Sequence, residues 1–282
     1  MAKRASSTVG KATVSKRIPV AVFGAGGRMG IKNMGMILQQ ADMDLMAAIE
    51  RPEHALFGQD VGAVSGHNPM GVLLGDGLEQ ALRGAKVMVD FSSPKGTLSH
   101  LNASVRNGVA LVIGTTGLAK GEIAKIHGCA KKIPVVLSGN FSLGINVLLG
   151  LARQAAAHLE GYDAELVEYH HNLKKDAPSG TALMLARQVA TGKKLTLEKA
   201  MVCGREGLVG ARRKDEIGIH AVRGGGIVGR HEVLLVSDHE TITLGHLAHD
   251  REAFTSGVLK AVRFAAKAKP GLYSMLDVLG MN

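Results

Sequence analysis

The chain has 282 residues, of which 46% are hydrophobic and 21% are charged. This composition is close to the average of globular proteins, so it excludes a chain that is disordered throughout. No run of 18 apolar residues occurs, which excludes a membrane-spanning segment. The formal net charge is +10, but residues 1–17 hold five basic residues and no acid, and there are only 3 Tyr, 6 Phe and 0 Trp. We therefore favour a small anionic ligand over a nucleic acid.

The N-terminal segment and the cysteines bear on the compartment. Residues 1–17, MAKRASSTVGKATVSKR, lack the apolar stretch of a secretory signal. Their basic, Ser- and Thr-rich composition fits a disordered cytoplasmic tail or an organellar transit peptide. Cys129 and Cys203 each lack a neighbouring cysteine, which favours free thiols in a reducing compartment over a zinc site. We predict a cytoplasmic protein with a disordered tail and no bound metal.

Apolar strands alternate with helical segments in the first half of the chain. The pattern predicts helices between strands at residues 18–23, 44–50, 86–90, 110–113 and 134–137. Strands of a parallel sheet are buried on both faces and read as continuous apolar runs. Such runs alternating with helices predict a doubly wound α/β domain.

The pattern changes after Asn140. A long helix is predicted over 144–160, a strand over 163–169 and a helix over 179–191, and strand-like runs joined by turns fill 217–247. Successive strands without helical crossovers are typical of an antiparallel sheet. A basic amphipathic helix is predicted near 251–267. The second part is therefore predicted to be an α+β domain.

A glycine cluster, GAGGRMG, follows the first predicted strand. Gly24, Gly27 and Gly30 are three residues apart, a spacing that allows a tight strand-to-helix turn and close approach to a diphosphate. The helix N-terminus and Arg28 add positive charge where phosphates would lie. The context favours dinucleotide binding over an ordinary tight turn, and no P-loop sequence is present.

Further turns extend the predicted dinucleotide site. Glu50, which ends the second predicted strand, would accept hydrogen bonds from the adenosine ribose of NADH, whereas Arg51 would pair with the 2′-phosphate of NADPH. The turns over 114–117 (GTTG) and 138–141 (SGNF) follow later strands. Ligands of open α/β sheets bind beyond the carboxyl ends of strands, so both turns are candidates for the nicotinamide side. Each one alone is more typical of a plain turn.

The segment EYHHNLKKDAPSGTA, residues 168–182, is the richest in reactive side chains. His170, His171 and Lys174 combine acid–base groups with cations at the end of a predicted strand. Neighbouring strand residues point to opposite faces, so we expect different roles for the two histidines and no shared metal. The Ser179-Gly180-Thr181 turn opens a helix whose free amides suit a carboxylate. On composition alone, a surface loop before a capped helix explains the segment equally well.

Taken in chain order, GAGGRMG, DFSSP, GTTG, NFS and EYHHNLKKDAPSGTA resemble the dihydrodipicolinate reductase family of lysine and diaminopimelate biosynthesis. The resemblance runs from Ile18 onward, and the last segment is its most specific part. It implies reduction of 4-hydroxy-tetrahydrodipicolinate (dihydrodipicolinate), a small dicarboxylate, to tetrahydrodipicolinate with NADH or NADPH. It implies a homotetramer, with a Rossmann-like dinucleotide-binding domain over 18–142 completed by 250–282. A substrate-binding and tetramerisation domain, with a mixed or antiparallel sheet, would span 143–249.

The resemblance also implies roles for individual residues. His170 would be the proton donor and acceptor, Lys174 the proton donor, and His171, Gly180 and Thr181 the substrate contacts. At the cofactor it implies Gly24, Ala25, Gly26, Gly27, Arg28 and Met29 for the diphosphate, Glu50 and Arg51 for the adenosine ribose, and Gly114, Thr115, Thr116, Ser138, Gly139, Asn140 and Phe141 for the nicotinamide side.

The chain departs from the family pattern at two positions, and two other functions stay open. Leu173 stands where some members carry a further histidine, and Ser93 stands where some carry an arginine, which bears on the choice between NADH and NADPH. An aspartate- or homoserine-type dehydrogenase would share the cofactor fold but needs a catalytic cysteine or a different lysine context. A dinucleotide-sensing regulator would bind nucleic acid through the basic tail. It would not need the residues from His170 to Thr181.

Overall fold

A computed structural model describes residues 17–250 and 252–281. The predicted tail lies outside these residues except for Arg17. In the described residues the strands are β1 (Ile18–Phe23), β2 (Met43–Ile49), β3 (Leu74–Gly75), β4 (Val87–Asp90), β5 (Ala110–Ile113), β6 (Pro134–Leu137), β7 (Asp163–His170), β8 (Met201–Cys203), β9 (Ile217–Arg223), β10 (Arg230–Val236), β11 (Thr241–Leu247) and β12 (Gly271–Tyr273).

The helices of the described residues are α1 (Arg28–Leu38), α2 (Val61–Val64), α3 (Leu78–Gly84), α4 (Pro94–Asn107), α5 (Lys120–Ala130), α6 (Leu143–His158), α7 (Gly180–Gly192), α8 (Leu197–Ala200), α9 (Glu252–Ala265) and α10 (Met275–Leu279). The longer helices follow the predicted pattern, whereas the short helices α2, α8 and α10 were not predicted. Arg251, the first residue of the predicted final helix, lies outside the described residues. Within the described ranges, no helix is both long and apolar enough to cross a bilayer.

Seven strands form a parallel sheet in the order β12-β6-β5-β4-β1-β2-β3. The central strands β4 and β5 are buried along their whole length, because helices cover both faces. Side chains of α1 and α9 pack on one face, and those of α3, α4 and α5 pack on the other. The predicted doubly wound α/β fold is confirmed.

Five strands form a second sheet in the order β11-β10-β7-β9-β8. β10 is antiparallel to β7 and β11, whereas β9 is parallel to β7 and β8. The sheet is therefore mixed, as the resemblance allowed. The expectation that successive strands pair antiparallel holds for β10 and β11 but is wrong for β9 and β10, because β7 lies between them.

Two connections relate the sheets. Helix α6 begins at Leu143, a few residues after β6 ends, and its inner side packs with α7 against the second sheet. After the second sheet is complete, α9 returns to cover the parallel sheet, and β12 pairs with β6 at its edge. The carboxyl end of β6 therefore lies next to the start of the second part of the chain.

Candidate active site

The glycine turn joins β1 to α1 without room for side chains. Gly24 has a φ of +68°, and a Cβ there would lie 2.7 Å from the carbonyl oxygen of Phe91. A Cβ on Gly30 would lie 2.1 Å from the carbonyl oxygen of Gly24. Both positions require glycine, because a side chain at Gly24 would collide with the turn after β4 and one at Gly30 would force the start of α1 away from β1.

The N-terminus of α1 suits a diphosphate. Gly27 is the N-cap and makes no side-chain cap hydrogen bond, and the first turn of α1 carries no acid. The amides there are therefore available to an anion. Beside them, Glu50 accepts hydrogen bonds from the amide of Gly26 at 2.9 Å and from the amide of Arg51 at 3.0 Å. The residues present thus fit a dinucleotide with its adenosine ribose near Glu50.

The loops that follow β2, β1, β4, β5 and β6 lie side by side, because their strands are parallel neighbours. Backbone hydrogen bonds join them in sequence: Ala25 N to Ile49 O at 3.2 Å, Phe91 N to Phe23 O at 3.1 Å, Gly114 N to Asp90 O at 2.9 Å and Ser138 N to Ile113 O at 3.1 Å. They form one continuous edge, which we call the binding edge. The predicted cofactor residues lie along it in order.

The side chain of Asp90 connects two of these loops through hydrogen bonds. That side chain is fully buried and accepts hydrogen bonds from Ser92 Oγ at 2.6 Å, His100 Nδ1 at 3.0 Å and Thr115 Oγ1 at 3.4 Å. The turn after β4 is therefore fixed relative to the turn after β5. Ser93, where some relatives carry arginine, caps α4 by accepting a hydrogen bond from the amide of Gly96 at 3.2 Å.

A cleft of about 850 Å³ opens where the binding edge meets the second part of the chain. Its lining includes eight residues to which the resemblance gave a role: Thr115, Thr116, Ser138, Gly139, His170, Lys174, Gly180 and Thr181. The first four were predicted on the nicotinamide side, and the last four were predicted for catalysis or substrate binding. Two sets that are distant in the sequence therefore face one cavity.

Other predicted residues do not line this cleft. The residues over 24–29, together with Glu50 and Arg51, lie further along the binding edge. Gly114 packs on the ring of Phe91, which a Cβ would approach to 2.2 Å. Phe141 is buried, and Asn140 is buried with its amide donating to Thr181 Oγ1 at 2.9 Å. That bond joins the loop after β6 to the start of α7.

The two adjacent histidines are separated as strand geometry predicts. His170 lines the cleft, whereas His171 is absent from its lining, and Nδ1 of His171 is buried without a hydrogen-bond partner among the described residues. Nδ1 of His170 lies 2.5 Å from an oxygen of Glu168, whose side chain is 1% exposed. Burial lowers the pKa of His170, and the Glu168 carboxylate opposes that shift only in part.

The start of α7 and the loop before it complete the cleft. Lys174 Nζ donates to both oxygens of Asp176 at 2.8 and 3.0 Å, and this contact lowers the pKa of Asp176. Ser179 is the N-cap of α7, and its Oγ accepts a hydrogen bond from the amide of Ala182 at 3.1 Å. Within the described ranges, the amides of Gly180 and Thr181 have no acceptor, so they can bind a carboxylate.

A third histidine lies behind His170. His231 is 4% exposed, its ring centroid is 5.2 Å from that of His170, and its Nε2 lies 3.3 Å from Ser179 Oγ. Burial, together with nearby His170, lowers the pKa of His231 to about 4. At neutral pH it is therefore an uncharged neighbour of the cleft.

The sequence reading missed Glu168, Arg223, Asp176 and His231 as parts of this site. Glu168 stands two positions before His170 on a strand, so strand alternation alone would have placed both side chains on one face. Arg223 and His231 come from β9 and β10, and no local pattern indicates that these strands flank β7. Among the described residues, no group of three or more His, Cys, Asp or Glu side chains is placed to hold a metal ion.

A parallel sheet with a glycine turn, and a cleft that joins its carboxyl edge to acid–base side chains of a second sheet, define a Rossmann-type oxidoreductase. Comparison with known proteins gives the family. The model for the N-terminus of dihydrodipicolinate reductase matches residues 18–141, and the model for its C-terminus matches residues 144–279. The chain therefore belongs to the dihydrodipicolinate reductase family.

Individual relatives agree. The 4-hydroxy-tetrahydrodipicolinate reductase of Roseobacter denitrificans is 45% identical over 93% of this chain and 97% of its own length. That of Methanocaldococcus jannaschii is 43% identical over 94% of this chain and 98% of its own length. The solved dipicolinate-bound dihydrodipicolinate reductase of Paenisporosarcina sp. TG-14 is 25% identical, with a TM-score of 0.73 over 93% of this chain and 98% of that one. The predicted NAD(P)H-dependent reductase class is confirmed.

Proposed function

We propose that this protein reduces 4-hydroxy-tetrahydrodipicolinate to tetrahydrodipicolinate with NADH or NADPH, with one proton taken up and the hydroxyl group leaving as water, and that the reaction takes place in the cleft. The observation that carries the proposal is the convergence of the loops after β5 and β6 with His170, Lys174 and the start of α7 around one cavity. A reductase of this kind needs a nicotinamide, two carboxylate contacts and a proton donor within one site. The same cavity offers residues for all three.

The cofactor would lie along the binding edge. The amides at the start of α1, with Arg28, would hold the diphosphate, and Glu50 would hold the adenosine ribose. Thr115, Thr116, Ser138 and Gly139 would flank the nicotinamide. When bound, the reduced nicotinamide supplies the hydride that the conjugated ring of the substrate accepts.

The remaining work falls to side chains of the second part of the chain. The amides of Gly180 and Thr181 would bind one substrate carboxylate at the N-terminus of α7, and the ammonium group of Lys174 adds positive charge in the same cavity. Lys174 would donate the proton that the reduced ring must gain, and His170 would exchange protons with bound substrate. His171 would reach the substrate only after a change of position, since it is absent from the lining of the cleft.

The rival dehydrogenase reading has less support. A dehydrogenase with a cysteine nucleophile needs that thiol in the cleft, and neither Cys129 nor Cys203 lines it. Burial also raises the pKa of the Cys129 thiol, which makes the thiol a poorer nucleophile. Both cysteines are free, which supports the proposal that the protein works in the reducing cytoplasm.

The direct test is nicotinamide absorbance after mixing the protein with freshly generated 4-hydroxy-tetrahydrodipicolinate, run in parallel with NADH and NADPH. We expect rapid oxidation of at least one cofactor. Absence of oxidation with both, from protein that still binds NADH, would refute the proposed substrate and leave the dinucleotide site intact.

We further propose that the chain is divided into domains at the predicted boundaries, and that the second sheet assembles a homotetramer. Helices α6 and α7 cover one face of that sheet. The other face carries Tyr169 and Val222 on neighbouring strands, and the side chains of Val222 and Leu247 are 39% and 53% exposed. Exposed apolar groups on one face of a sheet favour association.

The mass of the protein in solution tests this assembly. Sedimentation velocity at micromolar concentration should give a species four times the mass of the 29.5 kDa chain. A change of Val222 to Glu should shift that species toward smaller assemblies, because it would bring charge into the contact. The same change at exposed Val209 of the 204–216 loop is the control for added charge. A wild-type protein that sediments as the single chain would refute the tetramer.

A further inference from the structure

A buried carboxylate with four hydrogen-bond donors lies just behind the cleft. The carboxylate of Glu168 is 1% exposed and accepts hydrogen bonds from His170 Nδ1 at 2.5 Å and from the amide of Ser179 at 3.0 Å. Both terminal nitrogens of Arg223 also donate to it, each at 2.8 Å. Glu168 itself does not line the cleft, so any influence it has on the reaction must pass through the residues that it holds.

The first of these residues is His170, and the contact decides its tautomer. Burial raises the pKa of Glu168, but hydrogen bonds from Arg223 and His170 outweigh it and hold the pKa below the usual value. An ionised carboxylate can only accept, so the hydrogen between the two groups belongs to His170 Nδ1. Nε2 is thereby left as the nitrogen that can exchange a proton with a ligand.

The surroundings of Nε2 keep it accessible. Nε2 of His170 has no hydrogen-bond partner within the described ranges. A Cβ on Gly229 would stand 3.4 Å from Nε2. The bare backbone at that position leaves this edge of the imidazole uncovered.

The second residue held by Glu168 belongs to the substrate-binding side. Its other oxygen accepts from the amide of Ser179, the N-cap of α7. Arg223 extends the same contact, because it also donates to the carbonyl oxygen of Asp176 at 2.8 Å. One buried ion pair therefore fixes both the acid–base histidine and the loop that leads from Lys174 to the start of α7.

We propose that Glu168, held by Arg223, is a positioning residue: it keeps the hydrogen of His170 on Nδ1 and fixes the N-terminus of α7 against that histidine. The inference rests on the proposed function of His170 in the cleft. Its general basis is that a carboxylate behind an imidazole sets both the tautomer and the orientation of the ring.

The first test is the Glu168→Gln variant of the full chain. Glutamine has nearly the same size, but its amide can donate to Nδ1 and so favours a hydrogen on Nε2. We expect kcat to fall by about 10²-fold, with the Kd for NADH unchanged within about twofold. Nitrogen-15 NMR of the imidazoles in the NADH-bound protein should show His170 protonated on Nδ1 in the wild type and on Nε2 in the variant. The His170→Asn spectrum identifies its signal among the 12 histidines.

A second variant separates positioning from simple stabilisation. Glu168→Gln leaves the guanidinium of Arg223 without its ionic partner, which destabilises the fold. The double variant Glu168→Gln with Arg223→Met removes that charge. We expect it to regain most of the lost Tm while kcat stays low. Recovery of kcat together with Tm would show that Glu168 is only structural and would overturn the proposal.

A control for the loss of a paired carboxylate away from the cleft is Asp42→Asn, at a more exposed ion pair. Asp42 also receives a two-pronged contact, from Arg263 at 2.8 Å to each oxygen, but it precedes β2 at the opposite edge of the sheet. The Asp42→Asn variant should lower Tm without lowering kcat. The tautomer of His170 in the wild type can be measured without a variant or a substrate. A hydrogen on Nε2 of His170 in that measurement overturns the proposal directly. A wild-type protein that has the expected tautomer but oxidises no cofactor contradicts the proposed function instead.

Discussion

At the glycine turn, a ligand would meet backbone amides that no side chain covers, whereas in the cleft it would meet side chains held by other side chains. The glycine turn depends on the absence of Cβ atoms at Gly24 and Gly30. The cleft depends on a buried ion pair, Glu168 with Arg223. Affinity for the cofactor should thus respond to added volume at the glycine turn, and the turnover rate should respond to changes of charge or hydrogen bonding at the cleft.

The largest effect should come from the acid–base residues themselves. Lys174→Ala and His170→Ala should each lower kcat by about 10²- to 10⁴-fold, because each removes a proposed proton donor or acceptor. The Kd for NADH, measured by its fluorescence in this Trp-free chain, should change by less than about twofold. Lys175→Ala, at an exposed neighbouring position, is the control. Unchanged turnover in both variants would contradict the assigned roles.

Added volume at the glycine turn should change the affinity for NADH and leave kcat unchanged. Gly30→Ala puts a Cβ 2.1 Å from the carbonyl oxygen of Gly24. Helix α1 must therefore shift, and its N-terminal amides would no longer point at the diphosphate. We expect the Kd for NADH to rise by about 10-fold, since the contact of an anion with a helix N-terminus is worth up to about 2 kcal/mol and the shifted amides would lose most of it. At saturating NADH, kcat should stay near the wild-type value. Gly121→Ala in α5, where a Cβ meets no atom within 4 Å, should leave the Kd unchanged.

The buried histidine behind the cleft predicts a pH dependence of stability. The pKa of His231 is about 4 in the folded chain, against a usual value of 6.5. Below pH 6.5 the unfolded chain therefore binds a proton that the folded chain refuses. The free energy of unfolding should fall by up to about 3 kcal/mol between pH 6.5 and pH 4 from this group alone.

Urea unfolding of His231→Asn measures that contribution. The variant should lose stability less steeply than the wild type as pH falls through this range. His239→Asn, at an exposed turn position, should follow the wild-type slope. Equal slopes for all three proteins would show that His231 accepts its proton as readily in the folded chain as in the unfolded one.

The smallest expected effect concerns the choice of cofactor. Glu50→Gln removes the charge beside the glycine turn while retaining a hydrogen-bonding side chain. NADPH should gain relative to NADH by about 3- to 10-fold in kcat/KM, because repulsion between a carboxylate and the 2′-phosphate is relieved. The ratio of the two cofactors, measured at equal concentration, checks this. A ratio that does not change would place the discrimination at Arg51 or at the turn that contains Ser93.

The sequence predicted most of the parallel sheet because its signals are local. Strand β5 is apolar at every position and β4 at every position but its last. The glycine spacing marks the turn at Gly24 directly. β3 and β12 have only 2 and 3 residues, too few for any periodicity. Their pairing depends on neighbours that are already in the sheet.

The candidate site was only partly visible for the same reason. His170 and Lys174 lie within one short segment, so a motif contains them both. Arg223 reaches Glu168 because β9 pairs with β7 in a register that sets it opposite His170. Nothing near Arg223 in the sequence specifies that register. Contacts between residues 55 positions apart follow from the fold, and no local sequence pattern specifies them.

The return of the chain to the first sheet has a consequence for synthesis on the ribosome. Apolar residues of α9, among them Val258 and Val262, fill the core on one face of the parallel sheet, and β12 forms its outer edge. After β6 has left the ribosome, the face of the sheet on which α1 already packs therefore stays only partly covered until α9 follows, more than a hundred residues later. The two sheets cannot mature strictly one after the other, and the unfinished first sheet is the stage at which a chaperone would find the most to bind.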